Sequence, residues 1–136
     1  MINFNYETDF LLEDEKVISS WIVSTIAAED YNLDEINYVF CDDDYLHKLN
    51  VEFLKHDTLT DIISFDYSVG KTIQGDIFIS VERVKENAAD YEVSFDEELR
   101  RVIIHGVLHY CGYKDKTDKD AQVMRDKENF YLNQLD

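Results

Sequence analysis

The chain has 136 residues, of which 45% are hydrophobic and 13% aromatic, and its thirty Asp and Glu against thirteen Lys and Arg give a formal net charge of −17. This length and apolar share predict a single globular domain over residues 1–136 and exclude an intrinsically disordered chain. The negative charge excludes a general basic surface for nucleic acid, so any contact with RNA must be local.

The sequence carries no signal for a membrane or for export. Its first residues, MINFNYETDF, have neither the basic region nor the long apolar region of a secretion signal. No apolar run approaches the roughly 20 residues that span a bilayer. The two cysteines, Cys41 and Cys111, are too few for a disulfide framework. We therefore expect a cytoplasmic protein with no membrane contact.

The first half of the chain alternates between strand and helix patterns. In chain order, we predict a strand at residues 3–6, a helix at 13–28, a strand at 36–41, a helix opening at the acidic run 42–44, and strands at 62–67 and 76–80. The connection between the last two strands contains Gly70 and Gly75. Proline is absent and glycine rare, so no flexible linker divides the chain.

The second half of the chain is predicted to be helical, with helices over residues 81–91, 94–109 and 118–132. Ser94 and Glu97 have the spacing of a capping box, Gly112 is suited to end the second of these helices, and Thr117 can cap the third. Strands concentrated early in the chain, with helices before, between and after them, predict an α+β fold. We expect a small four-stranded mixed sheet packed against about five helices.

The stretch HGVLHYCGYKD, residues 105–115, has the spacing of a metal site. His105 and His109 are four residues apart, so on a helix they project from one face and can share one ion. A third ligand must come from elsewhere. Gly112 is free to turn the chain back, and Asp115 is the first acid after that turn. Two imidazoles and one carboxylate leave a tetrahedral ion one open position for water, as catalytic zinc sites do.

The same spacing also fits two ordinary half-buried histidines beside a core face. That face would carry Leu99, Ile103 and Val107. Gly106, and not Glu, follows His105, so the general base of H-E-x-x-H peptidases is missing and a peptidase is disfavoured. Cys111 projects about 200° away from His109 around the helix, which indicates packing and not a ligand.

This stretch resembles the metal-binding signature of the YbeY family of endoribonucleases, which act in ribosomal RNA maturation. The positions that match are His105, Gly106, Leu108, His109, Gly112 and Tyr113. Residues 49–50, 57–65 and 75–77 resemble two further blocks of the family. The resemblance implies a metal-dependent, single-strand-specific endoribonuclease that uses zinc, with His105, His109 and Asp115 as ligands. It implies RNA as the partner, with ribosomal subunit proteins as further candidates.

Two departures from the family pattern bear on catalysis. Asp115 stands where the family has a third His, and a carboxylate also binds zinc. Leu54 stands where the family usually has an Arg, a natural partner for phosphoryl charge. Lys55 and His56 lie next to this position and are candidates to replace it. Arg101 lies one turn before His105 and is a further candidate.

The remaining alternatives are open at the level of sequence. Asp61 and Ser64 fall in a matching block, and a structural and a functional role are equally compatible with them. The acidic runs 42–44 and 96–98 are interpreted as helix-start charges and nothing more. No general base is identified. A non-catalytic, metal-stabilised ribosome-assembly factor is the main alternative function, and a metallohydrolase with another substrate is a third.

Overall fold

The computed structural model describes residues 1–55 and 59–135. Its elements are, in chain order, β1 (Ile2–Tyr6), α1 (Glu15–Ala28), β2 (Asn32–Cys41), α2 (Asp43–Leu54), β3 (Ile62–Asp66), β4 (Thr72–Ser80), α3 (Val81–Asp90), α4 (Phe95–Tyr110) and α5 (Asp118–Leu135). The predicted α+β class, with a four-stranded sheet and five helices in the described ranges, is confirmed.

The sheet is mixed, with strand order β1-β2-β4-β3. Strands β1, β2 and β4 run parallel, and β3 pairs antiparallel with β4. Helix α1 provides the crossover that parallel pairing of β1 and β2 requires. Strands β2 and β4 occupy the two central positions, so their alternate side chains are completely buried.

Two strands begin well before the predicted residues. Strand β2 begins at Asn32 and β4 at Thr72, where polar residues flank the half-buried Leu33 and the buried Ile73, and the pairing of β2 with β4 shifts register between Leu33 and Glu35. The prediction that Gly75 belongs to a connecting loop was wrong, since it pairs with Ile36 and with Asp66 inside the sheet. A Cβ at Gly75 would lie 2.6 Å from the carbonyl oxygen of Phe65. Any residue other than glycine at this strand position would therefore force the neighbouring atoms to move.

The main core lies on one face of the sheet, beneath α1 and α4. Buried side chains from the sheet include Ile36, Tyr38, Phe40, Ile77 and Ile79. The opposite face carries a smaller cluster, in which Leu46 of α2 packs with Cys41 and Ile63. Successive strand residues point to opposite faces, which places α2 across the sheet from α4. No helix in the described ranges combines the length and hydropathy needed to cross a bilayer.

Helix α4 is held closely against the sheet. A Cβ at Gly106 would lie 2.9 Å from Cδ1 of Ile77, so glycine lets the helix approach the strands. The Tyr110 hydroxyl donates to the carbonyl oxygen of Phe65 at 3.0 Å, or to that of Asp76 at 3.2 Å. The Tyr38 hydroxyl donates to a carbonyl of the same helix at 3.1 Å. These contacts fix the helix that carries both histidines.

The predicted helix starts are present. The side chains of Asp42, Ser94 and Thr117 each accept a hydrogen bond from a backbone N–H three residues later.

The interpretation of run 42–44 as helix-start charge alone was incomplete. The Asp43 carboxylate also accepts hydrogen bonds from Ser80 at 2.7 Å and from Arg83 at 2.8 Å, which ties α2 to the start of α3.

Candidate metal centre

The structure brings His105, His109 and Asp115 together at the C-terminal end of α4. The two Nε2 atoms are 3.0 Å apart, and Oδ2 of Asp115 lies 3.3 Å from each of them. In a tetrahedral zinc site with ligand bonds of about 2.0–2.1 Å, ligand atoms are separated by roughly 3.3–3.4 Å. The three atoms therefore have the spacing needed to share one small divalent ion.

The turn after α4 brings the carboxylate back to the histidines. Gly112 has a φ of 96°, and its N–H donates to the carbonyl of His109 at 3.0 Å. The N–H of Tyr113 donates to the carbonyl of Leu108 at 3.1 Å. This is the left-handed helix ending that glycine permits and that the sequence predicted. It reverses the chain, so that Asp115 faces the last turn of the helix.

The hydrogen bonds of the two rings prepare both Nε2 atoms to bind a cation. Nδ1 of His105 lies 2.7 Å from Oε2 of Glu128, and Nδ1 of His109 lies 2.9 Å from the carbonyl oxygen of Tyr113. Both partners are acceptors, which assigns the proton of each neutral ring to Nδ1 and leaves a lone pair on Nε2. Two lone pairs and a carboxylate oxygen then face one another, an arrangement that a metal ion stabilises.

Glu128 is held as an ion behind His105. Its side chain is 6% exposed, and Nη1 of Arg101 donates to Oε1 at 3.0 Å. Burial favours the neutral acid, but the hydrogen bonds from His105 and Arg101 outweigh it and lower the pKa of Glu128. Burial likewise opposes the charged form of His105. The hydrogen bond to Glu128 and the negative charge of that carboxylate outweigh burial and raise the pKa of the imidazole.

A cleft of about 280 Å³ opens beside these groups. Its walls include Asp61, Tyr91, Glu98 and Arg125 as well as His105 and Asp115. Burial raises the pKa of both the Asp61 and the Glu98 carboxyl groups. Glu98 lies in the first turn of α4 but is only 5% exposed and lines the cleft, so the interpretation of run 96–98 as helix-start charge alone was incomplete for this residue. The residues that line the cleft come from three parts of the fold: the start of β3, the end of α3, and α4 together with α5.

The other predicted candidates lie in different environments. Arg101 lines the cleft, but its guanidinium is engaged by Glu128 and, at 2.8 Å, by Asn129. Lys55 is the exposed C-terminal cap of α2, with a φ of 56°, and it does not line this cleft. His56 lies outside the described residues. Leu54, at the position of the family Arg, is 42% exposed at the end of α2.

Burial can be compared with the sequence for two further residues. Cys111 is buried in the main core, which confirms its expected packing role. Ser64 lies exposed on β3, a position compatible with both the structural and the functional role.

Sequence reasoning missed Glu128 and the carbonyl of Tyr113 as partners of the histidines. A signal for Glu128 was available. It lies four residues after Met124 and three before Tyr131, both buried, so it belongs to the apolar stripe of α5. A carboxylate on an apolar stripe requires a partner, and here the partner is a candidate metal ligand. A backbone carbonyl such as that of Tyr113 leaves no comparable mark in the sequence.

This fold and site define a class: an α+β domain with a candidate metal centre at the end of its central helix and an open cleft beside it. The family model described as Endoribonuclease YbeY matches residues 3–136. The chain therefore belongs to the Endoribonuclease YbeY family.

Individual relatives support the same assignment. The protein is 65% identical over 129 residues to the Endoribonuclease YbeY of Flavobacterium johnsoniae, covering 95% of this chain and 93% of the relative. It is 46% identical over 132 residues to that of Karelsulcia muelleri, covering 97% and 94%. The solution structure of a Thermotoga maritima protein matches with a TM-score of 0.72 and 26% identity, covering 99% of this chain and 89% of that one.

Proposed function

We propose that this protein is a metal-dependent endoribonuclease that cleaves single-stranded RNA during ribosomal RNA maturation in the cytoplasm. His105, His109 and Asp115 hold one ion, for which zinc is the candidate. The observation that carries the proposal is the convergence of these three ligand atoms within 3.3 Å of one another, in a chain of the YbeY family. The donor set of two imidazoles and a carboxylate matches that of catalytic zinc sites.

The protein's own groups orient the ligands. Glu128 and the Tyr113 carbonyl each accept the Nδ1 proton of one histidine, which fixes the ring and directs its Nε2 lone pair to the site. When bound, the ion supplies Lewis acidity, which polarises a phosphoryl oxygen and offsets the charge of the substrate. Asp115 is 44% exposed and borders the cleft, so the site remains open to a substrate.

Charge restricts how RNA reaches the site. With a formal net charge of −17 the exterior repels a polyanion, so binding depends on positive charge at the cleft itself. This arrangement suits an enzyme that accepts a flexible single strand at one place and does not hold duplex RNA along a broad surface. Ribosomal subunit proteins are further proposed partners, since a nuclease of ribosomal RNA works on assembling particles.

A second candidate function is a ribosome-assembly factor in which the metal stabilises the last two helices and no cleavage occurs. The observation that favours it is Leu54, which replaces the Arg expected to meet phosphoryl charge and which is half-exposed at the end of α2. A nuclease without that Arg needs another cation, whereas a binding factor does not.

One experiment separates the two. Purified protein loaded with zinc is incubated with a labelled single-stranded RNA, beside the variants His105→Ala and His47→Ala. His47 lies on α2 outside the metal cluster and is the matched control. The nuclease proposal expects cleavage by the wild type and by His47→Ala, and its loss in His105→Ala. Equal cleavage by all three would indicate a contaminating nuclease, and no cleavage by zinc-loaded wild type would favour the binding factor.

A further inference from the structure

The cleft beside the candidate metal centre has an exposed aromatic ring and an exposed cation on its walls. Tyr91 directly follows α3 and is 61% exposed. Arg125 lies on α5, and its side chain is 54% exposed. Both residues line the same cleft as His105 and Asp115. Neither belongs to the family signature at residues 105–115, and neither contributes to the metal cluster.

The guanidinium of Arg125 keeps its donors available. Within residues 1–55 and 59–135, its contact is with Oε1 of Glu128 at 4.0 Å, which is too long for a hydrogen bond. Arg101 differs, because its two terminal nitrogens are hydrogen-bonded to Glu128 and Asn129. Arg125 is therefore the cleft arginine able to offer the paired N–H groups that bind phosphate oxygens.

The position of Tyr91 is fixed by the backbone, although its ring is exposed. Its N–H donates to the carbonyl of Asn87 at 2.9 Å, and the N–H of Val93 donates to that of Ala88 at 3.0 Å. In the part of the chain that the structure describes, the ring of Tyr91 makes no contact with another aromatic ring. A large exposed ring on a fixed backbone is the kind of platform on which unpaired bases stack.

The geometry points to a nucleotide subsite formed by Tyr91 and Arg125, in which Tyr91 stacks on a base and Arg125 binds a phosphate of single-stranded RNA next to the metal centre. This inference rests on the proposed function. The cleft volume of about 280 Å³ is near the lower end of ligand sites, at about 300 Å³, so it accepts about one nucleotide with the strand continuing outside. A base free to stack on Tyr91 must be unpaired, which gives a physical reason for single-strand selectivity.

The acidic walls make the cation necessary. Asp61 and Glu98 line the same cleft and would repel a phosphate. Arg125 is the counter-charge on the α5 side, in a protein that otherwise repels polyanions. The missing family Arg at Leu54 is thus compensated from a different element, and not by the neighbouring Lys55, which lies outside this cleft.

The phosphate contact is tested by the salt dependence of binding. Affinity of the zinc-loaded protein for a fluorescein-labelled single-stranded RNA is measured by anisotropy at several salt concentrations, at low temperature and at times before cleavage, for which a gel verifies that the probe is intact. Arg125→Ala should weaken binding and reduce the slope of log K against log salt by about 0.7, the value for one phosphate contact on a single strand. Lys16→Ala, an equal loss of charge on exposed α1, should leave the slope unchanged. Equal slopes for the Arg125 and Lys16 variants would overturn the proposed contact between Arg125 and an RNA phosphate.

The stacking contact is tested with a ligand that has phosphates but no bases. Tyr91→Ala should weaken RNA binding about tenfold, equivalent to ~1.4 kcal/mol, while Tyr91→Phe retains it. Binding of inorganic polyphosphate should be unchanged in both variants and weakened in Arg125→Ala. Wild-type RNA affinity in Tyr91→Ala, or an equal loss for polyphosphate, would overturn the stacking role.

The outcomes also separate this subsite from the proposed function. If the wild type cleaves RNA while the Arg125 and Tyr91 variants behave like Lys16→Ala, the subsite is wrong and the nuclease function stands. If the wild type binds RNA through both residues but cleaves none, the subsite stands and the nuclease function is wrong. Zinc content and the urea midpoint of each variant, expected at wild-type values, exclude misfolding as the cause of a loss.

Discussion

The Glu128 carboxylate accepts a hydrogen bond from Nδ1 of His105 at 2.7 Å across the interface between α5 and α4. The same carboxylate binds Arg101, one turn before His105, at 3.0 Å. Helix α5 is therefore part of the candidate metal centre, because it holds the ring of one ligand in place. A carboxylate behind a ligating histidine also increases the basicity of the nitrogen that faces the metal.

Replacing Glu128 by Gln should weaken zinc binding about 10–100-fold, the usual cost of removing such a partner. The amide has the same size but carries no charge to hold the imidazole. Affinity is measured by competition with a chromogenic chelator. Glu97→Gln, on the exposed side of α4, is the matched control and should bind zinc as the wild type does. Unchanged affinity in Glu128→Gln would remove Glu128 from the metal centre.

Asp115→Ala should lower zinc affinity by one to two orders of magnitude, equivalent to about 1.4–2.8 kcal/mol. The carboxylate supplies one of three ligand atoms, and its Oδ2 lies 3.3 Å from each Nε2. Asp115→His should retain the affinity, because it restores the ligand type of the family pattern. If Asp115→Ala binds zinc normally while Asp118→Ala or Asp120→Ala does not, the third ligand has been assigned to the wrong acid.

Gly75→Ala should destabilise the protein by about 1–3 kcal/mol, as overpacking of a filled site does. The added methyl group would lie 2.6 Å from the Phe65 carbonyl oxygen and closer still to the Tyr110 hydroxyl. The free energy of unfolding is measured in urea. Gly70→Asn is the control, since Gly70 has a φ of 58° and open space around it, and asparagine tolerates that conformation. Equal stabilities for the two variants would contradict the close approach.

Glu29 should make the stability of the protein depend on pH. Its carboxylate accepts hydrogen bonds from Tyr131, from Tyr113 at 2.7 Å and from Lys127 at 3.3 Å. Burial alone would raise the pKa of Glu29, but these bonds outweigh it and lower that pKa below its usual value. A carboxyl group whose pKa is lower in the folded state stabilises the protein above its unfolded pKa, near 4.3, and loses that contribution as the pH falls through the folded pKa.

Urea unfolding of the wild type and of Glu29→Gln at several pH values checks the direction in which the stabilisation by Glu29 changes with pH. The variant should be less stable at pH 7, and the difference between the two proteins should shrink as the solution is acidified below about pH 4. A difference that stays constant with pH would show that the amide loses packing and not charge.

The local parts of the site could be predicted from the sequence. The spacing of His105 and His109 and the turn at Gly112 depend on residues within one or two helical turns, and helix geometry determines them. Glu128 could not be assigned as a partner, because it lies 23 residues after His105 and meets it only once α5 packs on α4. Patterns of neighbouring residues predict the helices and strands, whereas the packing of those helices and strands decides which side chains come into contact.

The same limit explains the incorrect predictions. Gly75 was expected in the connection between two strands, but it lies within β4, where Tyr110 from α4 occupies the space above it. Glu98 was expected to be a helix-start charge and nothing more, yet it also lies in the wall of a cleft that contains residues of α5 and the end of α3. In both cases the deciding neighbour is remote in sequence.

Anomalous scattering at the zinc absorption edge, from crystals of the zinc-loaded protein, locates the ion and its ligands. We expect one peak between Nε2 of His105 and Nε2 of His109, with Oδ2 of Asp115 at about 2.0–2.2 Å from the ion. A peak elsewhere, or an ion between the histidines with Asp115 turned to solvent, would show that the ligand set is wrong.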